Sequence, residues 1–225
     1  AFAMAQQDVR YFLNGMLIEI GNNQVRAVAT DGHRLAMSDL DQEGIDGAVK
    51  QVIVPRKGVI EIQRLLQEVE DKVDVSICTS HLGVTSSIFT LTTKLVDGKF
   101  PDYDRVVPKD GNKVVVADRQ ELRQALSRTA ILSNEKFRGI RVLISTGQLQ
   151  LSANNPEQEE AEEAVSVEYQ GDNLEVGFNV SYLQDVLGVI GSEKVRLTLL
   201  DANSSAVLED PNREDAVYVV MPMKL

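Results

Sequence analysis

Alternating apolar and polar positions predict a protein built mainly of short strands. Residues 11–20 and 25–30 alternate in this way, and Gly21, Asn22 and Asn23 form a polar turn between them, which is typical of a hairpin. We expect further strands of the same kind, and they lie at residues 34–38, 51–54, 73–78, 81–86, 88–94, 114–117, 141–145, 149–153 and 176–179. The last predicted strand ends near Val220, because Pro222 has no N–H to donate to a sheet.

Three stretches have the 3–4 spacing of apolar residues that indicates an amphipathic helix. The first covers residues 56–69, and the third covers residues 180–190. The second starts at Asp118, which has Glu121 three positions later in a capping-box pattern, and runs to about Leu132. Residues 1–7 also have helical character but no capping residue and no initiator Met, so we interpret the chain as a piece of a longer protein.

The order of these elements repeats along the chain at a fixed offset. Gly15 and Gly139, Ile20 and Ile144, Gln24 and Gln148, and Ala29 and Ala153 are each 124 positions apart. The strand and helix after residue 51 recur at the same offset, which favours repeated modules. The polar, Gly-containing stretch at residues 109–113 is the best linker. We therefore predict two domains, residues 1–111 and 112–225.

Composition and charge narrow the function classes. The chain is 43% hydrophobic and 25% charged, with no apolar run long enough for a membrane helix and no signal peptide. Cys78 is the only cysteine, so no internal disulfide can form and a reducing compartment fits best. The net charge of −11 argues against nucleic-acid binding unless the cations are gathered on one face.

The sequence holds no catalytic constellation, zinc spacing or phosphate-binding glycine loop. His33 beside Arg34 is better interpreted as a loop histidine near a cation than as an acid–base pair. The acidic run at 157–163 is either a solvated face, an edge that meets a basic partner, or, least favoured, a metal site. The first two predicted helices carry several Arg and Lys residues, which form either an ordinary charged face or a line of cations along a phosphate backbone.

Seven motifs spread over the whole chain, in order, carry a specific resemblance. They are residues 8–17, 28–36, 52–58, 94–103, 130–139, 153–163 and 218–225, and they include Thr30-Asp31-Gly32-His33-Arg34-Leu35 and Tyr218-Val219-Val220-Met221-Pro222-Met223-Lys224-Leu225. The sequence resembles the second and third domains of the bacterial β sliding clamps, the processivity factors of DNA polymerase III.

The resemblance implies an α+β DNA-clamp fold of repeated domains, with antiparallel sheets outside and paired helices lining the inner face. It further implies a non-catalytic, cytoplasmic, nucleoid-associated protein without a cofactor or metal and without membrane contact. When full length, such a protein is a ring-shaped homodimer that encircles double-stranded DNA without sequence specificity. Replicative polymerase, clamp loader and repair polymerases would bind it through short linear peptides. The alternatives are an acidic protein-interaction module without DNA contact and, less favoured, an enzyme with an acidic site at 157–163.

Three residue sets follow from the resemblance. The peptide-binding groove, expected between the two domains, consists of Leu13, Thr30, Gly32, His33, Arg34, Leu35, Pro101, Arg105, Val106, Phe137, Asn179, Tyr182, Ser205, Val219, Val220, Met221, Pro222, Met223, Lys224 and Leu225. The DNA-binding set consists of Gln7, Arg10, Tyr11, Phe12 and Lys57. The subunit-interface set consists of Ile131, Leu132, Glu157, Glu159, Glu160, Glu162 and Glu163.

Overall fold

Antiparallel sheet with a few short helices makes up both halves of the chain. The computed structural model describes residues 1–45 and 47–224, so Leu225 of the predicted peptide-binding set lies outside the described residues. The chain divides into two compact units, Ala1–Pro101 and Asp102–Leu225. This division falls before the predicted linker at 109–113, and the boundary after residue 111 stays a prediction. The antiparallel pairing confirms the α+β class.

The first unit has one four-stranded and one three-stranded antiparallel arrangement. The strand order is β4–β1–β2–β3 in the first and β5–β6–β7 in the second. The elements are β1 (Gly15–Gly21), β2 (Gln24–Thr30), β3 (Arg34–Asp41), β4 (Lys50–Pro55), α1 (Arg56–Leu66), β5 (Asp74–Ile77), β6 (His81–Thr85) and β7 (Thr90–Lys94).

The second unit is a longer antiparallel array in the order β12–β9–β10–β11–β8–β13–β14–β15. Its elements are β8 (Lys113–Asp118), α2 (Arg119–Thr129), β9 (Gly139–Ser145), β10 (Gln148–Asn154), β11 (Glu160–Glu168), β12 (Leu174–Asn179), α3 (Val180–Val189), β13 (Lys194–Leu199), β14 (Ala206–Glu209) and β15 (Ala216–Val220). The predicted capping of α2 is confirmed, because the Asp118 side chain accepts a hydrogen bond from the Glu121 N–H.

The 124-residue repeat is present in the strand register itself. Gly15 pairs with Pro55 in the first unit, and Gly139 pairs with Asn179 in the second. The β1–β2 and β9–β10 hairpins match in the same way over their whole length. A one-residue slip in register would turn every side chain of a strand to the opposite face. The identical register therefore means that corresponding residues of the two units face the same side of their sheets.

The core of the first unit corrects one prediction about the N-terminus. Residues 1–7 form turns rather than a helix, and Ala3 and Met4 are buried in a cluster with side chains from β2, β4, α1 and β6. The Ala5 N–H donates to the Leu13 carbonyl at 3.0 Å, which holds this segment against the chain that precedes β1. Burial of its apolar side chains therefore outweighs helix propensity here.

A second correction concerns the predicted strand at 11–20. Tyr11–Asn14 is a short 3-10 helix, and only the part from Gly15 onward is β1. The Asn14 side-chain amide donates to the Asp8 carbonyl at 2.8 Å, and its side-chain oxygen accepts from the Asp8 N–H at 2.9 Å. These two bonds close a local loop that competes with an extended backbone. The predicted helix at 56–69 also ends earlier, at Leu66.

Candidate functional site

The 30–35 loop, which joins β2 to β3, is held by its own side chains. One carboxylate oxygen of Asp31 accepts the N–H groups of His33 and Arg34 at 2.9 and 3.0 Å. The Thr30 hydroxyl donates to the Arg34 carbonyl at 2.6 Å and accepts from the Gly32 N–H at 3.0 Å. Asp and Thr commonly stabilise turns in this way. The loop therefore has a defined backbone shape rather than an open one.

Arg34 anchors this loop to the N-terminal segment. Its guanidinium binds the second oxygen of Asp31 at 3.1 Å and donates to the Phe2 carbonyl at 2.9 Å. The same guanidinium lies over the Phe2 ring, 5.3 Å from its centroid, in cation–π geometry. Because three different groups hold the Arg34 head, this side chain is part of the loop structure and largely shielded from solvent.

Arg10 reaches the same loop from the other side. Its Nε and Nη2 bind the two oxygens of Asp8 at 3.0 and 2.8 Å, and Nη2 also donates to the Asp31 carbonyl at 3.3 Å. The hydrogen bonds from Arg10 lower the pKa of Asp8 to about 2. A residue predicted to contact DNA is thus engaged within the protein and touches the loop predicted to bind peptides.

The predicted peptide-binding residues of the first unit divide into core and surface. Leu13 and Leu35 are each 1% exposed, so they support the loop from below. Gly32 is half-buried, and His33 and Pro101 are exposed. Any ligand of this loop would therefore meet its backbone and the His33 ring before it met a leucine.

The predicted DNA-binding residues lie on exposed or half-buried positions around the N-terminal segment. Gln7 is exposed with φ of 58°. Tyr11 and Phe12 pack edge to face with ring centroids 5.8 Å apart. Lys57 is exposed in the first turn of α1, and the neighbouring Arg56 donates to the Met4 carbonyl at 3.3 Å. The start of α1 therefore lies beside the N-terminal segment.

In the second unit, Phe137 and Asn179 are joined by hydrogen bonding. Asn179 is the N-cap of α3, where its side-chain oxygen accepts from the Ser181 N–H at 2.9 Å, and its Nδ2 donates to the Phe137 carbonyl at 3.3 Å. The Phe137 ring is nonetheless 57% exposed. An exposed aromatic ring on a fixed backbone is a suitable anchor point for a ligand.

The C-terminal tail leaves the sheet after Val220, as predicted. Val219 and Val220 are buried in β15, whereas Met221, Pro222 and Met223 are half-buried and Lys224 is exposed. The Met223 N–H donates to the Gly177 carbonyl of β12 at 2.8 Å. This bond fixes the tail against a strand at the other end of the unit's array, so two methionine side chains remain partly accessible.

The remaining predicted peptide-binding residues also lie in the second unit. Arg105 is in a short 3-10 helix (Tyr103–Arg105), pairs with Asp102 at 2.7 Å and is largely exposed. Val106, Tyr182 and Ser205 are half-buried. Each is accessible enough to contact a ligand, but the structure describes them only as separate surface positions.

The predicted subunit-interface residues form an exposed apolar and acidic surface. Ile131 is 77% exposed in the short 3-10 helix Ala130–Leu132 that follows α2, and Leu132 is half-buried. Among the acidic residues, Glu157, Glu159, Glu160 and Glu162 are exposed. Glu163 differs because Arg128 binds both of its oxygens at 2.6 and 3.0 Å, and this pairing lowers the pKa of Glu163.

The three arginines of α2 are not equivalent, which sequence reasoning missed. Arg119 donates to the Ser192 and Leu187 carbonyls at 2.8 and 3.2 Å, and Arg128 is committed to Glu163. Arg123 is exposed beside Gln120 and Ser127, with which it lines a shallow depression. Arg128 lines the same depression, but its guanidinium is bound to Glu163. No pattern in the sequence distinguishes the three, because their partners are distant in the chain.

Two broad site classes find no support in residues 1–45 and 47–224. No group of three or more His, Cys, Asp or Glu side chains there is placed to hold a metal ion. No helix in that part of the chain is long and apolar enough to cross a membrane.

Two family models together match almost the whole chain. The model of the DNA polymerase III beta subunit central domain matches residues 1–102, and the model of the C-terminal domain of the same subunit matches residues 104–224. The chain is 61% identical over 225 residues to the beta sliding clamp of Pseudomonas aeruginosa and 51% identical over 224 residues to that of Escherichia coli. It covers 61% of the length of each of these relatives.

Solved structures give the same result. The DNA polymerase sliding clamp of Pseudomonas aeruginosa with ligand superposes with a TM-score of 0.98 at 62% identity, and the chain covers 61% of it. The Caulobacter crescentus beta sliding clamp superposes with a TM-score of 0.95 at 36% identity, again over 61% of that chain. All of this chain is aligned in both cases. The chain therefore belongs to the DNA polymerase III beta subunit family, the bacterial beta sliding clamps, and corresponds to their central and C-terminal domains.

Proposed function

We propose that this chain is the part of a sliding clamp that binds polymerases through short linear peptides and helps to hold the clamp on duplex DNA. The observation that carries the proposal is the ordered match of both domains to the family. The role is non-catalytic and serves processivity in DNA replication. We further propose that the protein acts in the cytoplasm, at the nucleoid.

The peptide-binding part of the proposal rests on surface chemistry in each unit. In the second unit, Phe137, Met221 and Met223 offer apolar contacts, and hydrogen bonds fix the backbone at Phe137 and Met223. Methionine adapts to ligands of different shape, which suits a site with several partners. In the first unit, the 30–35 loop offers a backbone of defined shape and the exposed His33. A Pseudomonas aeruginosa clamp that is 62% identical to this chain has been crystallised bound to griselimycin, so a member of the family has a ligand-binding site.

A titration tests the peptide-binding proposal. A fluorescent peptide that copies the C-terminal tail of a bacterial replicative polymerase is titrated with the chain and with Phe137→Ala and Met223→Ala. Loss of an anchor side chain at a peptide site should weaken binding by about tenfold. Leu35→Ala is a poor choice, because Leu35 is buried and its truncation would destabilise the unit.

The matched control is Ile88→Ala, which removes an exposed apolar side chain outside the proposed set. It should bind the peptide like the unchanged chain. Equal affinity of all four proteins would refute the assignment of Phe137 and Met223, and absence of binding to the unchanged chain would refute the peptide-binding proposal itself.

The DNA part of the proposal depends on local positive charge in a protein of net charge −11. Lys57 is exposed in the first turn of α1, and Arg10 is exposed in the segment before β1. Encirclement needs only weak phosphate contacts, since the ring topology retains the DNA. Binding of the chain to duplex DNA should weaken as salt rises, and Lys57→Ala should reduce the slope of log K against log salt by about one. A slope that Lys57→Ala leaves unchanged would remove this residue from the set.

We also propose that Ile131 and the exposed glutamates of β11 and the loop before it contact another subunit. An exposed isoleucine together with a run of exposed carboxylates suits a partner surface that is apolar at its centre and basic at its rim. The whole protein with Ile131→Asp should then sediment as a monomer at concentrations where the unchanged whole protein is a dimer. A dimer of unchanged stability would exclude Ile131 from the interface.

The net charge keeps one alternative in view, an acidic protein-interaction module without DNA contact. Both functions predict peptide binding, but only the clamp function predicts retention on DNA. The discriminating measurement is retention of the whole protein on closed circular DNA and its release when the DNA is cut. Equal recovery on closed and cut DNA would favour the alternative.

A further inference from the structure

Arg10 links two surfaces that the proposed function treats separately. It belongs to the proposed DNA-binding set, yet its guanidinium lies against the 30–35 loop of the proposed peptide site. Nε and Nη2 bind the Asp8 carboxylate in a two-pronged contact, and Nη2 also donates to the Asp31 carbonyl. A forked contact of this kind fixes the direction of a guanidinium as well as its position.

We infer that Arg10 is a positioning residue for the 30–35 loop: oriented by Asp8, it holds the Asp31–Gly32 backbone in the conformation that binds peptides. The inference rests on the proposed peptide-binding function of this loop. It assigns Asp8, which belongs to none of the three residue sets, a role in the same site.

The first supporting observation is that the Asp31 carboxylate and the Asp31 carbonyl have different partners. The Asp31 carboxylate is used inside the loop, where it accepts the N–H groups of His33 and Arg34 and pairs with the Arg34 side chain. These bonds shape the loop but do not fix it to the segment before β1. Arg34 fixes the loop to Phe2, and Arg10 is the contact that fixes it to the segment at Asp8. Without Arg10, one of these two attachments is lost.

The second observation is the absence of a side chain at Gly32. Its φ is +90°, a backbone conformation that residues with a side chain rarely adopt. A Cβ placed there would lie 3.2 Å from both Nη1 and Nη2 of Arg10. The loop backbone and the guanidinium are therefore in close contact, and the glycine is what permits it. A guanidinium that merely lay nearby would not need this space.

The third observation is that Asp8 is itself held in place. Its N–H donates to the Asn14 side chain, which in turn donates to the Asp8 carbonyl. The Arg10 N–H also donates to the Asp8 carboxylate at 2.8 Å. Asp8, which binds the Arg10 guanidinium, is thus itself bound to Asn14 in the short helix before β1. Arg10 therefore connects the loop to a structured part of the unit.

A double-mutant cycle separates positioning from direct contact with the peptide. The same fluorescent polymerase-tail peptide is titrated with the chain, Asp8→Asn, Arg10→Ala and the double variant. Arg123→Ala is the matched control, since it removes an exposed arginine outside the first unit. We expect each single change to weaken binding by about three- to fivefold, as for a solvent-exposed charged contact. The double variant should bind no more weakly than Arg10→Ala, because both changes disrupt the same contact between Asp8, Arg10 and the loop.

Direct contact gives a different pattern. If Arg10 touches the peptide itself, Asp8→Asn leaves its charge free and binding is unchanged or tighter, while Arg10→Ala is weakened. That outcome overturns the inference but not the proposed function. Arg10→Lys adds a further distinction: it keeps the charge but not the fork, so a positioning role predicts little rescue and a simple charge role predicts nearly full rescue.

Amide hydrogen exchange tests the inference even if the peptide does not bind. The amides of Gly32, His33 and Arg34 donate to Thr30 and Asp31 within the loop. We expect their exchange to speed up at least about threefold in Asp8→Asn and Arg10→Ala and to stay unchanged in Arg123→Ala. Unchanged exchange in all variants would show that Arg10 does not hold the loop. Failure of the unchanged chain to bind the peptide, with faster exchange in the variants, would count against the proposed function alone.

Discussion

The loops after the second strand of each repeat differ although the strands that carry them match. In the first unit Thr30 pairs with Leu35, so residues 31–34 form the loop. In the second unit Asn154 pairs with Glu160, so residues 155–159 form it. The side chains that stabilise them, Asp31 and Asn155, are 124 positions apart; Asp31 accepts two loop N–H groups, and Asn155 accepts one. The same turn chemistry therefore occurs at the same point of the repeat.

What differs is the charge around that shared turn. Two arginines, Arg10 and Arg34, hold the loop of the first unit. The loop of the second unit carries the exposed Glu157 and Glu159 and has no arginine of its own. Strand register is thus kept by the buried ladder, whereas loop length and charge were free to change. This division lets one design present a proposed peptide-binding loop in one unit and an acidic edge in the other.

The largest loss of stability is expected from truncating a buried side chain in the paired strands. Ile144 is 1% exposed, whereas its counterpart Ile20 is half-buried. Ile144→Ala should lower the free energy of unfolding of the second unit by about 2–5 kcal/mol, and Ile20→Ala should cost the first unit less. Urea titration with hydrogen exchange measures each unit separately. Equal losses of unfolding free energy in the two variants would show that the burial of the isoleucine does not set the cost of its truncation.

A smaller effect is expected at glycines with positive φ. Gly32 and Gly147 have φ of +90° and +75°, but only Gly32 has a neighbour within 4 Å of a Cβ. Gly147→Ala should cost about 1 kcal/mol of unfolding free energy from backbone strain alone, and Gly32→Ala should cost more because it also displaces Arg10. Thermal unfolding of the two variants compares these losses. A Gly32→Ala variant as stable as Gly147→Ala would argue against close contact with Arg10.

The smallest effect concerns the titration of two ion pairs. Arg10 holds the pKa of Asp8 at about 2, below its ordinary 3.8, and Arg128 lowers the pKa of Glu163 from 4.5. Both carboxylates are stabilised when ionised, so each pair contributes to stability above the ordinary pKa and loses that contribution as the pH falls through the lowered one. Carboxyl NMR titration should show the pKa of Asp8 rising towards 3.8 in Arg10→Ala. An unchanged pKa would show that another group stabilises the Asp8 carboxylate.

Much of the fold was predictable because it depends on local pattern. The strands of both hairpins, the helix starts at Arg56 and Arg119 and the 124-residue repeat follow from apolar periodicity and turn residues. The N-terminal segment was not predictable, because its apolar residues are buried in turns by contacts with distant strands. The short helix at Tyr11–Asn14 was missed since it depends on a side-chain bond between Asn14 and Asp8.

The candidate residues came from family resemblance, and the structure adds which of them are accessible. Leu13, Leu35, Val219 and Val220 are buried, while Phe137 and His33 are exposed. The pairing of Arg128 with Glu163 could not be inferred from charge alone, because the two residues are 35 positions apart and other glutamates, such as Glu121 and Glu135, are nearer in the sequence. Backbone geometry chooses among them.

A loop exchange tests most directly whether the ladder carries the fold and the loop carries the function. Residues 31–34 are replaced by the sequence of residues 155–159, Asn-Pro-Glu-Gln-Glu, which joins the corresponding pair of strands in the second unit. We predict that amide protection of β1, β2 and β4 is kept while affinity for the polymerase-tail peptide falls by about tenfold or more. Unchanged peptide affinity in a folded exchange variant, or loss of strand protection, would contradict this account.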